Sequence, residues 1–232
     1  MHARLAPLLI VALIAMAPPA LAMKAPDSWD GLVKVDAKKL AAVYLLPDAD
    51  FRSYSKVIVD RPEVAFKKDW QRQYNRTQRS LGGRVNEKDV RDAIDRASAS
   101  FVKALSDAYA KAGYELTAQS GPDVLRVSTA IVNLSVDAPD QMTAARSRTY
   151  SREAGEATLV LEIRDSVSGS LMGRALDRRL AGDNFSGPYL RNAVTNQSDF
   201  EMLFERWAKV SAEGITKLKA LSPIDGNGQP RR

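Results

Sequence analysis

Cysteine is absent from the 232 residues of this chain, and histidine occurs once, as His2. Without cysteine there is no disulfide, no thiol nucleophile and no site for a lipid anchor. If residues 1–22 are removed as a signal peptide, histidine is lost as well, which excludes a Ser-His-Asp triad and the usual zinc ligand sets. An enzyme built from the remaining chain would have to rely on carboxylate, lysine, tyrosine or serine chemistry.

The N-terminus has the pattern of a secretory signal. A basic head with His2 and Arg4 precedes an apolar run over residues 5–17, and small residues flank the end of Ala20-Leu21-Ala22. The run is short for a transmembrane span, which needs about 20 apolar residues, so a retained anchor is the less favoured alternative. We expect cleavage after Ala22 and a periplasmic or secreted protein without a lipid anchor, because the chain has no cysteine.

The chain that remains after cleavage is basic. Lysine and arginine number 34 and aspartate and glutamate 28, so loss of Arg4 leaves 33 against 28, a net charge of +5. No second long apolar segment follows, and no transmembrane span is expected after cleavage. About 210 residues form one domain by default. We predict a single domain over 23–221 and a disordered tail over 222–232.

Residue periodicity predicts an α+β fold. The clearest helix covers 87–112, where Asn86 and Asp89 form an approximate capping box. A second helix is expected from Ser198 to about residue 221, after a loop over 182–197. Segments rich in β-branched and alternating apolar residues predict strands over 42–46, 56–66, 123–136, 157–164 and 171–180.

The simplest architecture for this order is one antiparallel or mixed sheet of about five strands with two long helices packed on one face. The last two strands form a hairpin, since residues 165–169 have the chemistry of a turn: Asp165 can bond the backbone, and Gly169 suits a positive φ. Residues 23–36 are expected to be irregular, with Trp29 and Leu32 docking on the domain.

Several blocks of the sequence resemble a known family. They are Trp29-Asp30-Gly31-Leu32, VYLLPDADFRSYSKVIVDRPEV (43–64), the long helix, EATLVLEIRDSVSGSLMGRALDRR (156–179), DWQRQYNR (69–76) and SDFEMLFERWA (198–208). These blocks are similar to bacterial cell-envelope proteins, many of them lipoproteins, catalogued as domain of unknown function thirty-three thirteen. The resemblance covers nearly the whole mature chain. It implies an exported envelope protein with an α+β fold and no established activity. This chain differs from the lipoprotein members in lacking the lipobox cysteine.

Residues 67–84, here called the basic segment, are the main candidate binding site. Trp70 and Tyr74 are four residues apart, as are Arg72 and Arg76, so a helical turn would place each pair on one side. The alternative is that both aromatic rings pack on the sheet while the arginines are solvated. A single acid, Asp69, accompanies the cations of the segment, which are Lys67, Lys68, Arg72, Arg76, Arg79 and Arg84.

A second candidate is the charged triplet Asp177-Arg178-Arg179 at the end of the hairpin. The favoured interpretation is a solvated strand end with a local Asp–Arg pair, since charged strand ends also block edge pairing. The alternative is that Arg178 and Arg179 contact an anion or a partner. Asp137 and Asp140 could in principle act as paired carboxylates, but they lie in a polar segment that offers little burial.

These observations favour a non-enzymatic binding or assembly module of the cell envelope. Its partner would be an envelope protein, an anionic lipid or a cell-wall polymer, because those are the anions of that compartment, and no nucleic acid is expected. The alternative is a hydrolase or lyase that uses carboxylates and lysine on an envelope polymer. No catalytic residue, metal ligand or cofactor site is predicted.

Overall fold

A large mixed sheet covered on one face by two long helices dominates the computed structural model. The structure describes residues 26–78, 83–136, 149–151, 153–182, 189–191, 193–225, 227 and 229–230. The described helices are α1 (Trp70–Thr77), α2 (Glu87–Lys111) and α3 (Ala193–Leu221).

The described strands are numbered in chain order. They are β1 (Ser28–Trp29), β2 (Leu32–Val35), β3 (Ala42–Leu45), β4 (Lys56–Val59), β5 (Glu63–Phe66), β6 (Glu115–Leu116), β7 (Val124–Val136), β8 (Thr149–Ser151), β9 (Gly155–Asp165), β10 (Leu171–Ala181) and β11 (Tyr189–Arg191). Nine of them form one sheet in the order β1-β2-β3-β10-β9-β7-β4-β6, with β5 also paired to β7, while β8 and β11 pair with each other.

The predicted α+β class is confirmed, and the predicted sheet of about five strands is wrong. Strands β1, β2, β5 and β6 extend the sheet with only two to four residues each. Such strands are too short to show a period-two pattern and form because a neighbouring strand offers unpaired backbone groups. The predicted extent of the loop over 182–197 is also wrong, because α3 begins at Ala193.

The predicted capping box of α2 and the predicted turn of the hairpin are confirmed. The side chain of Asn86 accepts from the backbone N–H groups of Lys88 and Asp89, and the Asp89 carboxylate accepts from the Asn86 backbone, which completes the capping box of α2. In the β9–β10 turn, one carboxylate oxygen of Asp165 accepts from the backbone of Val167 and Ser168 at 3.1 and 2.7 Å.

The core lies between the sheet and the two long helices. Register places Leu161 of β9 opposite Ala175 of β10, and both belong to the main buried cluster. Phe101 of α2 and Trp207 of α3 contact each other over this layer, with ring centroids 6.3 Å apart. Ile224 is fully buried and its backbone N–H donates to Ala49, so the core extends beyond the predicted domain boundary at residue 221.

The opposite face of the sheet has no helix among the described elements. A smaller buried cluster lies there, formed by Leu32, Ala42 and Tyr44. Tyr44 of β3 pairs with Arg174 of β10, which in turn pairs with Glu162 of β9. Because side chains alternate along a strand, this row points away from the helices.

Candidate functional site

The basic segment follows β5 at one end of the sheet. β5 runs parallel to β7, and the backbone N–H of Lys67 continues that pairing by donating to Leu134 at 2.8 Å. Asp69 then adopts a left-handed conformation with φ 63°, which aspartate tolerates better than most residues. This residue turns the chain sharply, and α1 begins at Trp70.

An aromatic stack fixes α1 against the end of the sheet. The rings of Phe66 and Trp70 lie 4.3 Å apart at 25°, and those of Trp70 and Tyr74 lie 5.6 Å apart at 19°. The indole N–H of Trp70 donates to the carbonyl of Val136 at 3.2 Å, and Tyr74 is buried. The predicted helical turn is confirmed, and its aromatic side packs on the fold as the alternative interpretation expected.

A second set of hydrogen bonds joins α1 to the residues before α2. The Asn75 amide donates to the carbonyl of Val85 at 2.8 Å and accepts from the backbone N–H of Val85 at 2.8 Å. Gln71 also donates to the Val85 carbonyl at 3.0 Å. These bonds bring Arg84 beside α1, although it lies outside that helix in the sequence.

The cations of the basic segment divide into two groups. Arg72 forms an ion pair with Asp69. By contrast, the exposed cations Lys67, Lys68, Arg76 and Arg84, here called the basic platform, form no ion pair with any residue in the described ranges. Arg79 lies outside the described residues. The structure therefore brings together part of the predicted cluster around a helix whose backbone is held by packing.

The interpretation of the charged triplet at the end of β10 as a solvated strand end is wrong for Asp177. The carboxylate of Asp177 is buried under α3, where it accepts from the Trp207 indole at 2.8 Å, from the Arg179 guanidinium at 2.6 Å and from the backbone of Ala41 at 3.0 Å. Asp177 shares the core face of β10 with Gly173 and Ala175, so strict alternation could have placed it inside.

The two arginines of the triplet therefore differ. Arg179 also donates to the Lys39 carbonyl at 2.9 Å, and only 22% of its side chain is exposed. Arg178 lies on the other face of the strand, is 69% exposed and pairs with Glu156 at 2.6 Å. Of the two predicted binding residues, Arg179 is engaged in holding the fold and only Arg178 faces solvent.

A cluster that sequence reasoning missed surrounds Arg174 on the face without helices. Its guanidinium, 8% exposed, donates to Glu162 at 2.6 and 2.9 Å and to Asp30 at 2.8 Å. The same group lies 4.1 Å from the centre of the Trp29 ring, a cation–π contact. The hairpin register pairs Arg174 with Glu162, a cross-strand signal that could have revealed the ion pair.

Glu162 is held in its charged form. Burial alone would raise its pKa, but hydrogen bonds from Arg164 and Arg174 outweigh burial and hold the pKa below the usual value of 4.5. Because both arginines are occupied by this carboxylate and by Asp30, the cluster anchors the β1–β2 hairpin to the sheet. The Trp29-Asp30 block therefore has a structural role, which is to hold this hairpin on the sheet.

The described carboxylates offer no assembled metal centre. Within the described ranges, no group of three or more His, Cys, Asp or Glu side chains is placed to hold a metal ion. Asp137 and Asp140, the carboxylate pair considered from the sequence, lie outside those ranges. Among the same described residues, no helix combines the length and apolar character needed to cross a membrane.

A single family model spans the Trp29-Asp30 block, the basic segment and the hairpin. The model is that of a protein of unknown function, DUF3313, and it matches residues 24–210. The chain belongs to this family. The resemblance noted from the sequence is thereby confirmed. The residues matched by the family model include α1, the Arg174 cluster and the contact between Asp177 and Trp207. No curated protein matches the chain.

Three solved structures show a distant likeness to the DUF3313 chain. A PelC dodecamer from Paraburkholderia phytofirmans is 11% identical, with 73% of this chain and 96% of that chain covered and a TM-score of 0.37. A DUF330 protein from Xanthomonas campestris is 11% identical, with 75% and 89% covered and a TM-score of 0.38. A DUF4136 protein from Bacteroides thetaiotaomicron is 11% identical, with 78% and 98% covered and a TM-score of 0.34.

Proposed function

We propose that this DUF3313 protein is an exported, non-enzymatic binding or assembly module of the bacterial cell envelope, and that its basic platform binds phosphate groups on an anionic partner. The observation that carries the proposal is the exposure of Lys67, Lys68, Arg76 and Arg84 around α1 without an acidic partner among the described residues. Exposed cations without nearby acids produce a positive surface potential, which a bound anion neutralises.

The packing of α1 supports the same proposal. Its backbone is held by the Phe66–Trp70–Tyr74 stack and by the Asn75–Val85 hydrogen bonds. A helix that is ordered before binding loses less conformational entropy when an anion binds than a flexible basic tail would lose. Arg84, the neighbour of the bonded Val85, adds a cation that a helix alone would not present.

Export rests on the N-terminal pattern and is tested separately. Cleavage after Ala22 predicts a mature chain that begins at Met23. Intact-mass measurement on protein from the periplasmic fraction checks this, and a mass that still includes residues 1–22 would contradict it. The fraction in which the protein is found also tests the proposed location.

Phosphate binding is tested with vesicles and with a soluble polymer. We expect the protein to sediment with phosphatidylglycerol-containing vesicles and not with purely zwitterionic ones, and soluble polyphosphate should compete if phosphate alone suffices. Raising salt from about 50 to 500 mM shortens the screening length about threefold and should largely abolish binding. Direct binding of polyphosphate by a protein that does not sediment with vesicles would identify a soluble phosphate polymer as the source.

The matched variants separate the basic platform from overall charge. Lys68→Ser/Arg76→Ser/Arg84→Ser removes cations that have no described partner and should lose most of the binding at low salt. The control Arg52→Ser/Lys88→Ser/Arg91→Ser removes the same charge from exposed cations that already pair with acids. Equal loss in both variants, or in neither, would overturn the proposal, provided that both melt like the native protein.

A further inference from the structure

The outer side of the α2–α3 pair forms a groove that is separate from the basic platform. Its floor is made of small side chains on both helices, including Ala104, Ala108, Ala112 and Ala212. Charged side chains form the two rims: Lys103, Asp107 and Lys111 on α2, and Glu205, Lys209 and Glu213 on α3.

The two helices run parallel and in step. Tyr109 and Ser211, which are 102 residues apart in the sequence, share a buried hydrogen bond of 2.7 Å between their hydroxyl groups. Phe101 and Phe204, further toward both N-termini, have ring centroids 5.2 Å apart. Because every residue of an α-helix advances the chain by the same 1.5 Å, residues that share this sequence offset lie at nearly the same height in the groove.

The rims carry opposite charges at three heights, while Glu201, a further acid of the α3 rim, lies level with the uncharged Ala99. Lys103 lies level with Glu205, Asp107 with Lys209, and Lys111 with Glu213, each pair having the offset set by Tyr109 and Ser211. Lys103 at present pairs along its own helix with Asp107 at 2.5 Å, and Lys209 pairs with Glu213 at 3.9 Å. Glu213 also pairs with Lys39 at 2.8 Å. Lys103, Asp107 and Lys209 are largely exposed and Glu213 is about half exposed, so a partner can reach them.

We propose that the α2–α3 groove is a homodimer interface in which a second copy of this chain is related by a two-fold axis parallel to the helices. This operation keeps every residue at its own height and lays α2 of one copy over α3 of the other. Lys103 then faces the partner's Glu205, and Asp107 faces the partner's Lys209. An isologous interface repeats both contacts, so the charge pattern is satisfied twice.

The same pattern disfavours one centring of the other face-to-face arrangement. A two-fold axis perpendicular to the helices would lay α2 over α2 with reversed heights. Centred on Asp107, that arrangement brings Lys103 against the partner's Lys111 and Asp107 against the partner's Asp107. Like charges juxtaposed across an interface are strongly unfavourable, so this centring is disfavoured. Centred between Lys103 and Asp107, the perpendicular axis would instead set Lys103 against the partner's Asp107. The mixing experiment below distinguishes the two arrangements, because only the parallel axis joins opposite charges throughout the mixed dimer.

The floor of the groove suits a second helix pair. Alanine side chains allow helix backbones to approach closely, and burial of their methyl groups removes apolar surface from water. The charged rims then set the register and the orientation. An interface of this kind lies at the small end of the range for stable complexes, so dimerisation is expected at about micromolar concentrations rather than nanomolar ones.

The test is a charge exchange between two variants, measured by sedimentation equilibrium over a protein concentration series. Lys103→Glu/Lys111→Glu makes the α2 rim acidic, and Glu205→Lys/Glu213→Lys makes the α3 rim basic. Each variant alone should dimerise at least about tenfold more weakly than the native protein, because like charges then face each other at both α2–α3 contacts between the two copies. An equimolar mixture should recover the native dimer affinity, since both α2–α3 contacts between one copy of each variant then join opposite charges.

The control variant Lys88→Glu/Arg91→Glu changes the same charge on α2 outside the groove and should dimerise like the native protein. A native chain that stays monomeric throughout the series would overturn the proposal and leave the groove to a helix of another protein. Failure of the mixture to recover dimers would overturn the two-fold arrangement, as would equal weakening in the control. If a double variant unfolds, the single exchange Asp107→Lys with Lys209→Asp tests the same register. This proposal does not depend on anion binding by the basic platform, and either can fail alone.

Discussion

The indole N–H of Trp207 donates to the carboxylate of Asp177 across 2.8 Å, which joins the middle of α3 to β10. Asp177 is 3% exposed, and its carboxylate oxygens also accept hydrogen bonds from Arg179 and from the backbone of Ala41. A buried carboxylate is tolerated only when its oxygens are hydrogen-bonded and its charge is balanced. The contact thus places Asp177 of the charged triplet in the core, with Arg179 as its partner, while Arg178 faces solvent.

Removal of Arg179 should destabilise the protein, whereas removal of its neighbour should not. Arg179→Ala leaves Asp177 without its counter-charge, and we expect a loss of about 1.5–3 kcal/mol, the usual contribution of a hydrogen bond to a charged group. Arg178→Ala removes an exposed side chain and should cost within about 0.5 kcal/mol. Urea unfolding of both variants checks this, and equal midpoints would show that Arg179 does not support the buried acid.

Arg174 should be more important for stability than the other arginines on its face of the sheet. Arg174→Met leaves Asp30 without its cation and Glu162 with Arg164 alone, and we expect a cost of about 1.5–3 kcal/mol, the usual contribution of a hydrogen bond to a charged group. Arg126→Met, which breaks an exposed pair with Asp60, should cost within about 1 kcal/mol. Trp29 loses its cation contact only in the first variant, so a fluorescence change confined to Arg174→Met is also expected.

Stability should fall in acid in part because of Glu162. Its pKa is lower in the folded protein than the usual 4.5, so the carboxylate contributes stability above that pH. The contribution is lost as pH falls through the lowered folded pKa. Glu162→Gln should flatten the pH dependence of the unfolding free energy below about pH 4.5.

The control for the acid effect is Glu115→Gln, an exposed glutamate with no ion pair in the described part of the chain. It should follow the native curve. If Glu162→Gln and Glu115→Gln gave the same curve as the native protein, the arginine cluster would not hold the charge of Glu162.

Two glycine-to-alanine substitutions should have opposite effects. Gly155 has φ 154°, and a Cβ there would lie 1.9 Å from the carbonyl oxygen of Ser135, so Gly155→Ala should disrupt the β7–β9 pairing. Gly214 lies within α3 with open space around a Cβ, and Gly214→Ala should stabilise by about 0.5–1 kcal/mol. Thermal melts check the signs, and a stabilised Gly155→Ala would contradict this account of the strand.

The sequence by itself determined the elements whose signals are local. The capping residues and apolar stripe of α2, the alternation in β9 and the spacing of Trp70 and Tyr74 each act within a few residues of the chain, so they can be read before folding. Family membership followed from such blocks as well. In the basic segment, the sequence was enough to predict a cluster of cations and a helical turn.

Only the tertiary structure decided which charges are free. Arg174 and Asp30 are 144 residues apart, and Trp207 and Asp177 are 30 apart, so neither contact leaves a periodic trace in the chain. The short strands β1 and β6 and the common height of Lys103 and Glu205 likewise depend on neighbours brought together by packing. A charged side chain looks the same in sequence whether it meets water or a buried partner, and only the folded chain supplies that partner.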